Sequence, residues 1–207
     1  QKIWEHPLYQ ENYQKLQEKE ADRIYCRHGI DHLLDVARIA YIHNLEESDG
    51  YSKAVIYAAA LLHDIGRYEQ YEWGITHEKS GERIAREILE DLREDSGMQL
   101  FGEEEQQFIL EAIANHRGQN ERNCGKEYDG TPGSKILRES GKNCMEENSE
   151  EDRRIAKSRR FMELIHRSDK ESRRCFDCKA EATCKWAEEK TILLPCVKGD
   201  ELEIRYF

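Results

Sequence analysis

Residues 54–65 read AVIYAAALLHDI, an apolar stretch that carries His63 and Asp64 inside it. A run of this kind belongs in a protein interior. Two ionisable side chains taken in with it are costly unless something pairs with them. Two more potential partners, His32 and Asp169, sit on other segments that read as helix. Imidazole and carboxylate gathered from separate helices are what a transition or hard divalent metal needs. His77 and His116 lie on further segments, which gives enough ligands for two metals.

The remaining composition is permissive. At 207 residues the chain can bury a substantial core, and a single domain spanning 1–207 is the natural expectation. Charged residues make up 36% and hydrophobic ones 38%, with three prolines, a balance that suits a mostly helical soluble protein. The net charge of −11 argues against an extended nucleic-acid surface, which needs concentrated Lys and Arg. A phosphate can still be held where a metal and local arginines invert the field. No apolar run is long enough to span a membrane, and the N-terminal segment lacks a signal-peptide pattern. The seven cysteines are therefore expected as reduced thiols, and the cytoplasm as the location.

The periodicity predicts helices over 7–26, 31–44, 53–64, 76–92, 103–115 and 152–173. Apolar residues on more than one face of 31–44 predict a central helix. Ser52 is expected to cap the 53–64 helix, and Gly66 to close it with a positive φ. Residues 118–152 hold five glycines and few apolar side chains, and read as a long loop. The tail alternates at Leu202, Ile204 and Tyr206, a small hairpin signal. GTPGSK at 130–135 lacks the spacing of a phosphate loop and reads as a turn.

A histidine, a His-Asp doublet and a distal aspartate, all on helices, resemble the HD-domain superfamily of metal-dependent phosphohydrolases. HGIDHLLDVARIA resembles that family's first ligand helix, LLHDIGR its doublet motif and RSDKESR its last ligand motif. The resemblance covers roughly residues 20–175, leaving 176–207 as a cysteine-containing extension. It implies an all-α helical bundle. THEKSGERIA and AIANHRG resemble the two extra histidine positions of two-metal members.

The resemblance implies that His32, His63, Asp64 and Asp169 hold one metal, and that Asp64, His77 and His116 hold a second, with Asp64 bridging. His63 and Asp64 would be the catalytic pair. His28 competes with His32 as the first ligand. The spacing of His32 four residues before Val36 favours His32, which leaves His28 as a neighbour or phosphate contact. Mixed nitrogen and oxygen donors suit iron, manganese, zinc, cobalt or nickel. Arg67, Arg117, Lys170 and Arg173 are candidate phosphate contacts, since guanidinium matches phosphate geometry. Arg67 stands where the family usually has lysine, and the longer GYP-type signature of the cyclic-dinucleotide branch is missing.

The implied activity is hydrolysis of a phosphate ester or anhydride in a small, nucleotide-like substrate. A regulatory metal- and nucleotide-binding protein without turnover is one rival, and a di-iron oxygenase of the same superfamily is another. Cys175, Cys178 and Cys184 form a CxxC-centred cluster, with Cys196 beyond. A CxxC pair can chelate a metal, but zinc sites usually show a second close pair. The plainer reading is reduced thiols packing the C-terminal end beside Trp186.

Overall fold

The computed structural model describes residues 1–115, 149–175, 178–180 and 183–184. Among these residues the chain is helical, with α1 Lys2–Glu5, α2 Pro7–Lys19, α3 Ile30–Glu46, α4 Lys53–Leu62, α5 Arg67–Trp73, α6 His77–Asp91, α7 Glu103–Asn115 and α8 Glu150–Glu171. No strand is formed among the described residues, apart from an isolated bridge between Arg93 and Gln99. The expected all-α bundle is therefore observed. The tail hairpin and most of the 118–152 loop lie outside the described residues.

The apolar stretch becomes α4, and it is the true centre of the bundle. Val55, Ile56, Ala58, Ala59, Ala60 and Leu62 are all buried. Small alanines let α3, α7 and α8 approach this helix closely. Ser52 starts it as expected, its hydroxyl accepting from the Val55 N–H at 3.2 Å. The expectation that 31–44 would be central needs correction. α3 packs on α4 and α8 but leaves Ile42 and Leu45 more than half exposed.

Other boundaries shift for local reasons. α2 stops at Lys19 rather than running to residue 26. The buried Glu20 carboxylate turns back to accept the backbone N–H of His28 at 2.8 Å, which favours a loop over further helix. α5 was not expected, because RYEQYEW has no apolar period. It ends at Gly74, in the left-handed region at φ 72°. α8 begins two residues earlier than predicted, with the Ser149 hydroxyl accepting from the Asp152 N–H at 3.0 Å.

Gly66 departs most from expectation. Its φ is −80°, so a positive φ is not what requires glycine there. The requirement is contact: a Cβ at Gly66 would lie 2.3 Å from the Gly81 backbone nitrogen and 2.4 Å from the His77 carbonyl oxygen. Gly81 in turn faces Ile113, 3.1 Å from where its own Cβ would be. Bare backbone on bare backbone lets the turn after α4 touch the first turns of α6.

Candidate metal centre

That contact sets His77 beside the doublet. His63 is the C-terminal cap residue of α4, and Asp64 lies in the turn beyond it, so the doublet follows the helix rather than lying within it. The last turn of a helix has carbonyls without partners. His63 Nδ1 lies 2.7 Å from one of them, Ala60 O. A carbonyl can only accept, so Nδ1 carries the proton and Nε2 is directed inward.

The same device recurs at every histidine of the centre. His77 Nδ1 lies 2.7 Å from the Gln70 side-chain oxygen, supplied by α5. His28 Nδ1 lies 2.7 Å from Glu20 Oε1. The Ser172 hydroxyl spends its proton on the Asp169 carbonyl at 2.7 Å, and its oxygen therefore accepts from His32 Nδ1 at 3.0 Å. Four Nδ1 atoms are held by acceptors, and four Nε2 atoms face one aspartate. Partners of this kind set the tautomer and orientation of metal-binding imidazoles.

Around Asp64 Oδ2, His63 Nε2 lies at 3.0 Å, His32 Nε2 at 3.7 Å and His28 Nε2 at 3.8 Å. Asp169 Oδ1 completes the group, 3.3 Å from His32 Nε2 and 3.8 Å from His63 Nε2. One ligand atom each from His32, His63, Asp64 and Asp169 can be chosen so that all lie within 4.8 Å of one another. Asp64 Oδ1 points the other way, 3.6 Å from His77 Nε2 and 2.6 Å from Arg67 Nε.

The electrostatics suit a cation. Burial pushes the Asp169 carboxyl up, yet the His32 and His63 imidazoles, 3.3 and 3.8 Å away, hold it well below the usual carboxylate range. Burial likewise opposes charge on His63, but Asp64 and Asp169 raise that imidazole to about 10. His32 is raised by the same two carboxylates against its own burial. Nε2 of His32 is buried, and no hydrogen bond satisfies it among the described residues. An inward nitrogen beside two carboxylates becomes a ligand position once a cation displaces its proton, so the residues fit a divalent metal.

Not every expected residue joins this group. His28 is off the helix, since α3 begins at Ile30, yet its ring still reaches Asp64. His116 and Arg117 lie outside the described residues. Lys170 is half-buried in the last turn of α8. Arg173 Nη2 lies 3.5 Å from Asp169 Oδ2 and lines a cleft of about 530 Å³ that reaches His32. Arg23, Arg27, Arg174 and Lys179 line the same cleft, and no sequence motif marks any of the four. Nor does any motif mark Glu20, Gln70 and Ser172, whose roles arise only from tertiary contact.

The comparisons agree with this architecture. A protein from Clostridium beijerinckii (strain ATCC 51743 / NCIMB 8052), described as uncharacterized, is 37% identical over 171 residues, covering 83% of this chain and 81% of that protein. No solved structure matches the chain significantly. The family model described as "HD domain" matches residues 29–195, most of the chain. With the His-Asp doublet at the heart of its buried centre, the chain belongs to the HD-domain family.

Proposed function

We propose that this chain is a metal-dependent phosphohydrolase that cleaves a phosphate ester or anhydride in a small, nucleotide-like substrate. One observation carries the reading. The mutually close ligand atoms of His32, His63, Asp64 and Asp169 adjoin a cleft lined by arginines, in a chain of net charge −11. A divalent metal held there supplies a Lewis acid and lowers the pKa of water. Iron, manganese, zinc, cobalt and nickel all suit this donor set.

The protein's own groups do the rest. The four Nδ1 partners hold the imidazoles so that no reorientation is needed on binding. Burial of His63, Asp64 and His77 removes bulk water from the reacting region. Arg173 stands between Asp169 and the cleft, placed to take a phosphate oxygen. Lys170, Arg117 and His28 are further candidates for that contact. A cleft of about 530 Å³ is in the size range of small-molecule sites. His77 and the outward oxygen of Asp64 offer the start of a second metal position, which His116 would complete.

Phosphate release from mono-, di- and cyclic nucleotides with added manganese, set against an Asp64→Ala control, tests the proposal. Turnover that vanishes in the variant supports it. A folded, metal-loaded protein that hydrolyses none of these compounds yet binds one tightly would be a sensor. Oxygen uptake by the iron-loaded protein would point to an oxygenase.

A further inference from the structure

The cleft beside His32 is also lined by sulfur. Cys26, from the loop between α2 and α3, lines it together with Cys175 and Cys178, which follow α8. These segments are distant in sequence and are brought together only by the fold. The Cys178 N–H donates to the Cys175 carbonyl at 3.2 Å, which holds the two cysteines of the CxxC pair together. The Thr183 N–H donates to the Ala180 carbonyl at 3.1 Å, which ties the residue before Cys184 to the described segment after Cys178. The Tyr25 hydroxyl meets Thr183 Oγ1 at 3.4 Å and ties the residue before Cys26 to the residue before Cys184.

Cys26, Cys175, Cys178 and Cys184 are all free thiols. Cys175, Cys178 and Cys184 lie close enough to Cys26 to affect its ionisation. Although Cys26 is exposed to the cleft, loss of water raises its thiol, Arg173 works to lower it, and Cys175, Cys178 and Cys184 raise it further. Ionised together, the four would repel strongly unless a cation lay among them. Arg23, Arg27 and Lys179, which line the same cleft, offset part of that charge. The CxxC pair does have a complement, then, but it comes from two single cysteines rather than a second close pair.

We propose that Cys26, Cys175, Cys178 and Cys184 form a four-thiolate centre for a soft metal, an iron–sulfur cluster or a zinc ion, separate from the histidine–aspartate centre across the same cleft. Among the described residues, only the histidine–aspartate group brings three or more ligand atoms within 4.8 Å of one another. The sulfurs therefore stand wider apart than a tetrahedral zinc with Zn–S of about 2.3 Å would draw them. A polynuclear cluster is the other centre that four cysteines commonly ligate. This inference does not depend on the hydrolase reading.

The test is metal, sulfide and visible-absorption analysis of the full chain purified without oxygen or chelator. Iron with acid-labile sulfide and visible charge-transfer absorption identifies a cluster. About one zinc per chain without colour identifies the ion. In either case Cys26→Ser and Cys184→Ser should each lose that metal while keeping the helical circular dichroism and the metal that Asp64→Ala removes. Thiol labelling of the native protein is the second readout, with these four cysteines reacting only after the metal is stripped. Four freely reactive thiols in native protein, with no metal beyond that lost in Asp64→Ala, overturn the proposal.

Discussion

Arg67 Nε donates to Asp64 Oδ1 at 2.6 Å, on the carboxylate oxygen that faces His77. A guanidinium already neutralises the position where a second metal would bridge. The guanidinium and a second metal would compete for the charge of that oxygen. Wild-type protein is therefore expected to bind its first metal tightly and a second weakly. Arg67→Ala should raise the affinity for the second, read by competitive metal titration. The same change should lower kcat/KM about 10- to 100-fold, the equivalent of one charge-assisted hydrogen bond of about 1.5–3 kcal/mol. Unaltered second-metal affinity in the variant would show that Arg67 does not guard the site.

His32 and His28 both direct Nε2 at Asp64, but only His32 also meets Asp169. His32→Ala should empty the first metal position. His28→Ala should keep the metal and chiefly raise KM. Ser172→Ala, which removes the acceptor of His32 Nδ1, should weaken metal binding about 10- to 100-fold, as expected for an orienting partner. Metal analysis of the three variants decides between them, and metal loss in the His28 variant alone would reverse the assignment.

The raised His63 imidazole makes the metal-free protein sensitive to alkali. Its pKa is about 10 in the fold against 6.5 ordinarily, so its stabilisation is complete below about pH 6.5 and is lost as the pH rises through about 10. The Tm of stripped protein should fall across that window. Metal displaces the proton, so loaded protein should lack the slope and metal affinity should rise with pH. Thermal melts of both forms from pH 6 to 10 would show it, and parallel curves would refute it.

Glu20 carries the opposite sign. Burial pushes its carboxyl up, but His28 and Tyr71 outweigh burial and hold it at about 2 against 4.5 ordinarily. Its contribution is present above about pH 4.5 and fades as the pH falls toward about 2. Glu20→Gln should flatten the acid limb of the stability curve, and it should loosen His28 without emptying the first metal position.

Gly66→Ala should cost on the order of 4 kcal/mol or more, the range of severe packing conflicts. Its Cβ would overlap the backbone of Gly81 and His77. Gly102→Ala, whose nearest neighbour would be a flexible Glu105 oxygen at 4.0 Å, should change stability by about 1 kcal/mol or less. Denaturant melts compare them directly, and equal midpoints would show that the turn can move aside.

The helices that carry apolar periods were legible in the sequence: α3, α4, α6, α7 and α8. α5 was not, because RYEQYEW reaches its place through polar links such as Gln70 to His77 and Tyr71 to Glu20. The residue types of the candidate metal centre were visible as motifs, and the structure brings His32, His63, Asp64 and Asp169 together. Their supports were invisible, since Ser172 or Gln70 looks like any other polar residue until the chain folds. Gly66 was noticed for the wrong reason, because sequence reveals that a side chain is missing but not what occupies its place. Cys26 had no local signal at all.

The contact between Gly66 and Gly81 works as a ruler. The interval between the His-Asp doublet and His77 is set by the thickness of two bare backbones, a length that no side-chain substitution can shorten. Substitutions elsewhere in the core can drift without resetting it, whereas any residue other than glycine at Gly66 moves one half of the centre away from the other. Adaptation to new substrates therefore has freer scope on the far side of the cleft, where the α2–α3 loop meets the segment after α8 through side chains such as Tyr25 and Thr183.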